Sequence, residues 1–310
     1  MLTGTRKFII NKIHFNQKGK EKMAILKTEG LTYTYSAGTP FEKTAVDHVD
    51  LCIEENTMIG VIGHTGSGKS TLMQHFNGLL QPTSGKVLLD GQDIWADKSR
   101  LREVRFKVGL VFQYPEYQLF EETVAKDIAF GCKNMGLGEE EIKSRVLETA
   151  DMLGMDRELL ERSPFALSGG QKRRAAIAGV MAMRPKVLIL DEPCAGLDPK
   201  GRNLMLSQIR DYQKKSQSTV LLVSHSMEDV AEFTQKLLVM SKAKLFCYED
   251  TYKVFRRADE LKQLGLRVPQ IASVMQALRK KGVPLPDDLY TVESARDAVL
   301  ALLRKGETSC

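Results

Sequence analysis

Residues 59–80 contain the feature that most restricts what this chain can fold into. An apolar, β-branched run at residues 59–62 predicts a buried strand. The next residues, 63–70 (GHTGSGKS), fit the pattern G-x-x-x-x-G-K-[ST], and an amphipathic stretch after them predicts a helix to about Leu80. A strand, a glycine-rich loop and a helix in this order indicate an α/β fold with a phosphate-binding loop.

The glycines of this loop allow several backbone N–H groups to point at one anion, and the helix that follows adds the positive end of its dipole. Lys69 is expected to reach the β and γ phosphates, and Ser70 to offer a hydroxyl to Mg²⁺. An ordinary glycine-rich turn would require neither the strand nor the helix. The sequence therefore predicts ATP binding by the eight residues of the loop and the one that follows: Gly63, His64, Thr65, Gly66, Ser67, Gly68, Lys69, Ser70 and Thr71.

A second apolar run, residues 187–190, predicts a strand that ends in two acids, Asp191 and Glu192. Carboxyl ends of parallel strands meet at the ligand, so Asp191 is expected to hold Mg²⁺, usually through water. Side chains alternate along a strand, which predicts that Glu192 points elsewhere and is free to activate the attacking water. The alternative is an acidic helix start.

Residues 167–171 (LSGGQ) precede a helix-forming run at 175–183. Ser168 is a good N-cap, and Gly169 and Gly170 permit close approach of an anion. A capped helix start explains Ser168, but we expect it to leave the two glycines and Gln171 unexplained, because glycine inside a helix costs about 1 kcal/mol.

Charge, cysteines and hydropathy exclude several classes of protein. The net charge of +6 is concentrated in residues 1–22, which carry six basic residues and one acid and are predicted to form a basic, disordered tail. Such a tail can bind anionic lipid or nucleic acid, but the rest of the chain is almost neutral and no nucleic-acid partner is expected. Five widely spaced cysteines favour neither a zinc site nor disulfides, and so favour the reducing cytosol. No apolar run approaches the roughly 18 residues of a membrane-spanning helix.

From about residue 26 to about residue 239 the chain resembles ABC-type nucleotide-binding domains, because six motifs occur in the family's order. They are the phosphate loop at 63–70, the Q-loop glutamine Gln113, the signature at 167–171, the acids Asp191 and Glu192, the D-loop at 195–198 and the switch histidine His225. The resemblance implies a P-loop NTPase (RecA-like) core, an N-terminal antiparallel β-subdomain and a helical signature subdomain at about 115–170. It also implies an ATP-hydrolysing transport enzyme.

The resemblance assigns roles to single residues. Gln113 looks like the residue that touches Mg²⁺ or the attacking water, and His225 like the one that contacts the γ-phosphate. Tyr35 is placed like the aromatic that stacks on adenine, although Tyr33 on the same strand is an alternative. In this family the signature of one ATPase caps the γ-phosphate held by another. Nucleotide contacts are therefore implied for Ser168, Gly169, Gly170, Gln171 and the D-loop Asp198.

Five segments are similar to the second ATPase of energy-coupling factor (ECF) importers: 36–43 (SAGTPFEK), 63–67 (GHTGS), 75–79 (HFNGL), 111–120 (VFQYPEYQLF) and 191–201 (DEPCAGLDPKG). This likeness implies a heterodimer with a second ECF-type ATPase, a transmembrane coupling subunit and a substrate-binding membrane subunit. It implies vitamin or metal-ion uptake, driven from the cytoplasmic face of the cell membrane. An ATPase of another ABC transporter is the alternative, and a soluble ABC ATPase acting on ribosomes or DNA is a weaker one.

Two departures from the pattern, Cys194 and the lack of glycine between Ser241 and Tyr248, are expected to alter only loop shape. An ATPase domain is predicted at 23–245 and an accessory domain at 246–310. Ile271, Val274, Met275 and Leu278 follow a helical period that ends at Gly282, and a second helix is expected at about 291–304. The resemblance implies that this domain helps to hold two ATPases together. Aromatic residues in 114–124 predict either a docking patch for a membrane partner or a local core.

Overall fold

The computed structural model describes residues 24–307 and contains two sheets and eleven α-helices within that range. The predicted tail at 1–22 and Cys310 lie outside the described residues. In chain order the strands are β1 (Ala24–Tyr35), β2 (Lys43–Glu54), β3 (Met58–Ile62), β4 (Ser84–Leu89), β5 (Gln92–Asp93), β6 (Val108–Val111), β7 (Val187–Asp191), β8 (Thr219–Val223), β9 (Lys236–Ser241) and β10 (Lys244–Asp250). The helices are α1 (Lys69–Phe76), α2 (Leu101–Lys107), α3 (Val124–Asn134), α4 (Glu139–Met152), α5 (Gly169–Ala182), α6 (Pro199–Ser216), α7 (Met227–Phe233), α8 (Thr251–Arg256), α9 (Ala258–Gln263), α10 (Gln270–Lys280) and α11 (Val292–Glu307).

The central sheet has the order β10-β9-β3-β8-β7-β6, and all neighbours except β10 and β9 are parallel. Every residue of β3, β7 and β8 is buried because helices or a second sheet cover both faces, which explains their continuous apolar sequences. The predicted strands at 59–62 and 187–190 are thus confirmed. Their carboxyl ends open on one edge, where the loops after β3, β7 and β8 meet.

The N-terminal antiparallel sheet, ordered β2-β1-β4-β5, packs with α1 against one face of the central sheet. On the other face, α3, α4 and α5 share a core with α6 and with Leu188 and Leu190 of β7. This arrangement confirms the predicted α/β fold with an N-terminal β-subdomain and a helical subdomain. No helix among the described residues is long and apolar enough to cross a membrane.

Helix α1 is shorter than predicted. It ends at Phe76 rather than near Leu80, because Gly78 adopts a left-handed conformation with φ 67° and the Leu79 N–H donates to the carbonyl of Gln74. These bonds are typical of a Schellman stop at a helix C-terminus.

The C-terminal unit begins later than predicted. The expected boundary at 245/246 falls inside β10, which pairs with β9 in the central sheet, and the residues up to Val268 pack on the same core as Ile62 of β3. A separate small core forms between α10 and α11 from Met275, Leu285, Leu289 and Ala295. The two predicted helices are confirmed, except that Val274 is half exposed rather than part of their core.

Candidate active site

The phosphate loop is packed so closely against its surroundings that two of its positions exclude a side chain. A Cβ at Gly68 would lie 2.1 Å from the carbonyl oxygen of Ala45, and one at Gly63 would lie 2.4 Å from that of Met240. Gly68 also has φ 102°, a conformation that glycine adopts without strain. The glycines therefore serve the shape of the loop as well as its access to an anion.

Lys69 is the first residue of α1 and is almost fully buried. Its Nζ donates to the carbonyl oxygens of Gly63, at 2.8 Å, and His64, at 3.1 Å, so the ammonium lies across the mouth of the loop. Burial lowers the pKa of Lys69, while the charges of Glu192 and Asp191 act in the opposite direction. The loop lysine and the two acids predicted from a distant segment therefore share one site.

Ser70 and Asp191 are brought together as predicted. Asp191 is the last residue of β7 and is buried, and Ser70 hydrogen-bonds to its side chain. Burial raises the pKa of Asp191, and the Ser70 hydrogen bond and the Lys69 charge partly offset that rise. A hydroxyl and a carboxylate side by side are oxygen donors of the kind that Mg²⁺ prefers. The donor set therefore fits the expected ion.

Glu192 is oriented by its backbone rather than by strand alternation, which corrects the prediction. It lies beyond the end of β7 with φ 54°, and its N–H donates to the carbonyl of Val223 in β8. Its Oε1 lies 2.7 Å from Nε2 of His225. Burial raises the pKa of Glu192, the His225 charge lowers it, Asp191 raises it and Lys69 lowers it, for a net increase.

Gln113 follows β6, the neighbour of β7, and lies at the same edge of the sheet. Val111 of β6 pairs with Leu190 of β7, so Gln113 and Glu192 each lie two residues beyond a matched pair. The Gln113 side chain is exposed. Its predicted contact with Mg²⁺ or water remains a prediction.

The signature motif forms a capping box at the start of α5. Ser168 Oγ accepts from the N–H of Gln171 at 3.3 Å, and Oε1 of Gln171 accepts from the N–H of Ser168 at 2.9 Å. A capped helix start thus explains Gln171 as well as Ser168, contrary to our expectation. It does not explain the glycines: a Cβ at Gly169 would meet nothing within 4 Å, and one at Gly170 only Leu197 at 4.0 Å.

The D-loop residue Asp198 also has a structural use. Its Oδ1 accepts from the N–H of Gly201 at 3.0 Å and caps α6, while the residue itself is exposed. The loop between Glu192 and Asp198 contains Cys194, whose thiol is buried. Burial raises its pKa to about 12, so the thiol stays protonated and unreactive.

Tyr35 is the more accessible of the two tyrosines considered for adenine. The residue is 38% exposed, and its hydroxyl lies 3.2 Å from Oγ1 of Thr71, just after the phosphate loop. Tyr33 is partly buried, and its ring meets those of Tyr35 and His75 edge-on with centroids 4.8 Å apart in each case. These contacts favour Tyr35 for the base, which remains a prediction.

The turn between β9 and β10 bonds to the phosphate loop, a contact that the sequence did not predict. The tight turn between β9 and β10 contains Lys242 at φ 49° and Ala243 at φ 67°, where glycines were expected. Ala243 donates its N–H to the carbonyl of Ser67 at 3.2 Å and accepts from the N–H of Asp47 at 2.8 Å. The turn therefore keeps a left-handed shape without glycine. The signal for it was the expectation of glycine between Ser241 and Tyr248, which indicates a tight turn there.

Known proteins resemble this chain over most of its length. The family model "ABC transporter" matches residues 46–195. The energy-coupling factor transporter ATP-binding protein EcfA2 of Caldanaerobacter subterraneus subsp. tengcongensis is 52% identical over 279 residues, which is 90% of this chain and 98% of that protein. The EcfA2 protein of Clostridium acetobutylicum is also 52% identical, over 91% of this chain and 99% of its own length.

A solved structure of cbiO1 from Clostridium perfringens, described as part of the ABC transporter complex cbiONQ, has a TM-score of 0.69 and 37% identity and covers 82% of this chain and 99% of that one. The solved structure shares the fold, and this chain covers nearly the whole length of each of these relatives. Together with the convergence of Lys69, Asp191 and Glu192, they place the chain without ambiguity: it belongs to the ABC transporter ATPases, in the group of energy-coupling factor transporter ATP-binding proteins.

Proposed function

We propose that this chain binds ATP with Mg²⁺ and hydrolyses it as one of two ATPases that drive an ECF-type importer of a vitamin or metal ion. The proposal is supported above all by one observation: Lys69, Ser70, Asp191, Glu192 and His225 come from distant segments and lie together at one edge of the parallel sheet.

The N–H groups of the loop and the ammonium of Lys69 bind the phosphates. For this, Lys69 exchanges the carbonyls of Gly63 and His64 for phosphate oxygens, which are stronger acceptors for a cation. Ser70 and Asp191 would hold Mg²⁺, which would neutralise phosphate charge, and Gln113 would complete this side of the site. Tyr35 stacks on the adenine.

Glu192 accepts the proton of the attacking water. Its raised pKa increases its basicity, and the contact with His225 keeps it oriented at the end of β7. His225 reaches Glu192 from the end of β8 through Nε2, and its exposed ring leaves Nδ1 for contact with the γ-phosphate. The reaction requires no covalent intermediate with the protein.

A second ATPase completes each site. The phosphate-facing features of the signature, Gly169 and Gly170, are open and have no packing role in their own chain. We infer that Ser168, Gly169, Gly170, Gln171 and Asp198 contact the nucleotide held by a partner ATPase. A 27% identical ABC cassette with a TM-score of 0.66, MJ0796, is described as dimeric in a post-hydrolysis state bound to ADP and Pi. The exposed Val292, Leu300 and Leu303 of α11 offer an apolar face for further contact between ATPases.

The membrane partner is proposed to dock beside Gln113. Tyr114, Tyr117, Phe120 and Phe130 expose large apolar rings there, and Tyr117 is 85% exposed, while Pro115 and Leu119 are buried beneath them. Exposed apolar patches of this kind mark interaction sites. This surface would receive the transmembrane coupling subunit, itself bound to a substrate-binding subunit, at the cytoplasmic face of the cell membrane.

Co-purification and nucleotide binding test the proposal. The chain solubilised from its own membranes is expected to bring down a second ATPase and a polytopic membrane protein. Lys69→Ala should weaken ATP binding sharply in the same preparation, whereas Lys86→Ala, a change on exposed β4, should not. Recovery of ribosomes or DNA alone, or unchanged ATP affinity in Lys69→Ala, would contradict it.

A further inference from the structure

Arg173 is a charged residue that the roles above do not use. It lies in the first half of α5, two residues after Gln171, and its side chain is only 7% exposed. A buried guanidinium is costly unless its donors are bonded. The donors of Arg173 bond to two partners.

One partner of Arg173 is Glu116, in the short 3₁₀ turn Pro115–Gln118. Nη2 donates to Oε1 at 2.9 Å and Nε donates to Oε2 at 3.3 Å, which is a two-pronged arrangement. Burial would raise the pKa of Glu116, but the hydrogen bonds from Arg173 lower it overall, so the carboxylate is ionised. Glu116 lies three residues after Gln113.

The other partner is the backbone of the loop that follows β7. Arg173 Nη1 donates to the carbonyl oxygen of Ala195. The N–H of Ala195 in turn donates to the carbonyl of Glu192 at 3.2 Å, which closes a turn that begins at Glu192. One side chain of α5 therefore bonds both the segment after Gln113 and the turn that carries Glu192.

From this geometry we propose that Arg173 is a positioning residue for hydrolysis, which fixes the Glu192–Ala195 turn relative to the Gln113–Glu116 segment. Displacement of that segment, on the surface with the exposed tyrosines, is transmitted through one guanidinium to the backbone of the general base. The inference rests on the proposed roles of Glu192 and Gln113. Lysine cannot perform this task, because a single ammonium group lacks the fixed fork that reaches a carboxylate and a carbonyl at once.

The chain offers a matched control in Arg145 of α4. Its side chain is also largely buried, bonds a carboxylate, Glu141, and donates to the carbonyls of Ala182 and Met183, but none of these groups belongs to the proposed site. Arg173→Lys and Arg145→Lys thus remove the same kind of bonds from the same subdomain. If Arg173 had only a structural role, the two variants would have similar kcat values.

The test measures kcat, KM for ATP and the melting temperature of the chain purified with its membrane partners. Arg173→Lys is expected to lower kcat by about tenfold to a hundredfold, as for a misplaced catalytic group. KM should stay within about twofold, since the phosphate loop is untouched. Glu116→Gln should show a smaller loss of the same kind, and the double variant should lose no more kcat than Arg173→Lys alone, because both changes break one link.

Equal kcat values for Arg173→Lys and Arg145→Lys would overturn the inference, as would additive losses in the double variant. If Arg173→Lys does not fold, Glu116→Gln compared with Glu141→Gln decides in the same way, and equal turnover of that pair overturns it. Glu192→Gln measured in parallel separates the two proposals. Full turnover in Glu192→Gln would contradict the role of Glu192 as base. If Glu192→Gln is inactive but the Arg173 variants keep normal turnover, only the positioning role of Arg173 is contradicted.

Discussion

Nε2 of His225 lies 2.7 Å from Oε1 of Glu192, and this contact joins the carboxyl ends of β8 and β7. The contact depends on the left-handed backbone of Glu192, which turns the side chain away from the line of its strand. Strained backbone of this kind is typical of functional sites. The pair is the part of the site from which the chemistry can be tested most directly.

Glu192→Gln should retain ATP binding and lose most turnover. The amide has nearly the same shape but cannot accept a proton from water, so kcat should fall by about 10²- to 10⁴-fold while ATP affinity is kept. Steady-state hydrolysis and equilibrium binding of ATP measure the two effects. Glu232→Gln, on the exposed side of α7, is the control and should behave like the unchanged protein. Near-normal turnover would remove Glu192 from the role of base.

Turnover should fall on acidification with a midpoint above the ordinary glutamate pKa of 4.5, because burial raises the pKa of Glu192 and the base must be ionised. A profile of kcat/KM for ATP from about pH 4 to about pH 8 measures that midpoint, because kcat/KM reports the pKa of groups in the nucleotide-free enzyme. A midpoint at or below the ordinary value would contradict the expected shift.

The same raised pKa has a consequence for folding. The native state binds this proton more tightly than the unfolded chain, so ionisation of Glu192 destabilises the fold as pH rises through the native pKa. Glu192→Gln should accordingly raise the melting temperature at neutral pH, and the gain should shrink as pH falls toward 4.5.

Ala243→Gly should stabilise the protein. Ala243 has φ 67°, a conformation unfavourable for a residue with a Cβ, and glycine should relieve this at a net gain of about 0.5–1 kcal/mol in the free energy of unfolding. Chemical denaturation measures it. Ala277→Gly, at an exposed position in α10, should instead cost about 1 kcal/mol. Equal destabilisation by both changes would show that the turn carries no strain.

Tyr35→Ala should weaken ATP binding by about 1–3 kcal/mol, the usual worth of a base stacked on an aromatic ring. Tyr35→Phe keeps the ring and should keep most of the affinity. Tyr33→Ala should mainly lower the melting temperature, because Tyr33 packs against His75 and Tyr35. Titration of ATP into each folded variant distinguishes the two residues, and the reverse order of affinities would assign the base to Tyr33.

Much of the fold and site could be predicted because the signals were local. Strand β3 and residues 187–190 of β7 form apolar runs, the first followed by the phosphate loop and the second by Asp191, so their placement also placed Lys69 and Asp191. Strand β10 was assigned to the wrong unit for the opposite reason. It is an edge strand of mixed burial, and its sequence does not distinguish a sheet edge from the start of another domain.

One of the remaining misses depends on a contact between distant residues, and the other two are local. Arg173 and Glu116 are separated by 57 positions, and nothing in either segment indicates that they pair. The conformation of Glu192 could not be predicted from strand periodicity, because the strand stops one residue earlier. The capping role of Gln171 was accessible from the Ser-x-x-Gln spacing, and we underestimated it.

Because the space around Gly169 and Gly170 is free, a substitution there would affect the folding of its own subunit and the activity of the neighbouring ATP site differently. An alanine at Gly170 would leave the carrier well folded, even slightly more helical, with its own phosphate pocket intact. By the pairing proposed above, the loss of activity would appear at the nucleotide site of the partner ATPase, whose sequence is unaltered. In the proposed heterodimer with one such variant subunit, the inactive ATP site would be the one whose phosphate loop belongs to the unaltered chain. Complementation would therefore have to be assessed for each ATP site rather than for each chain.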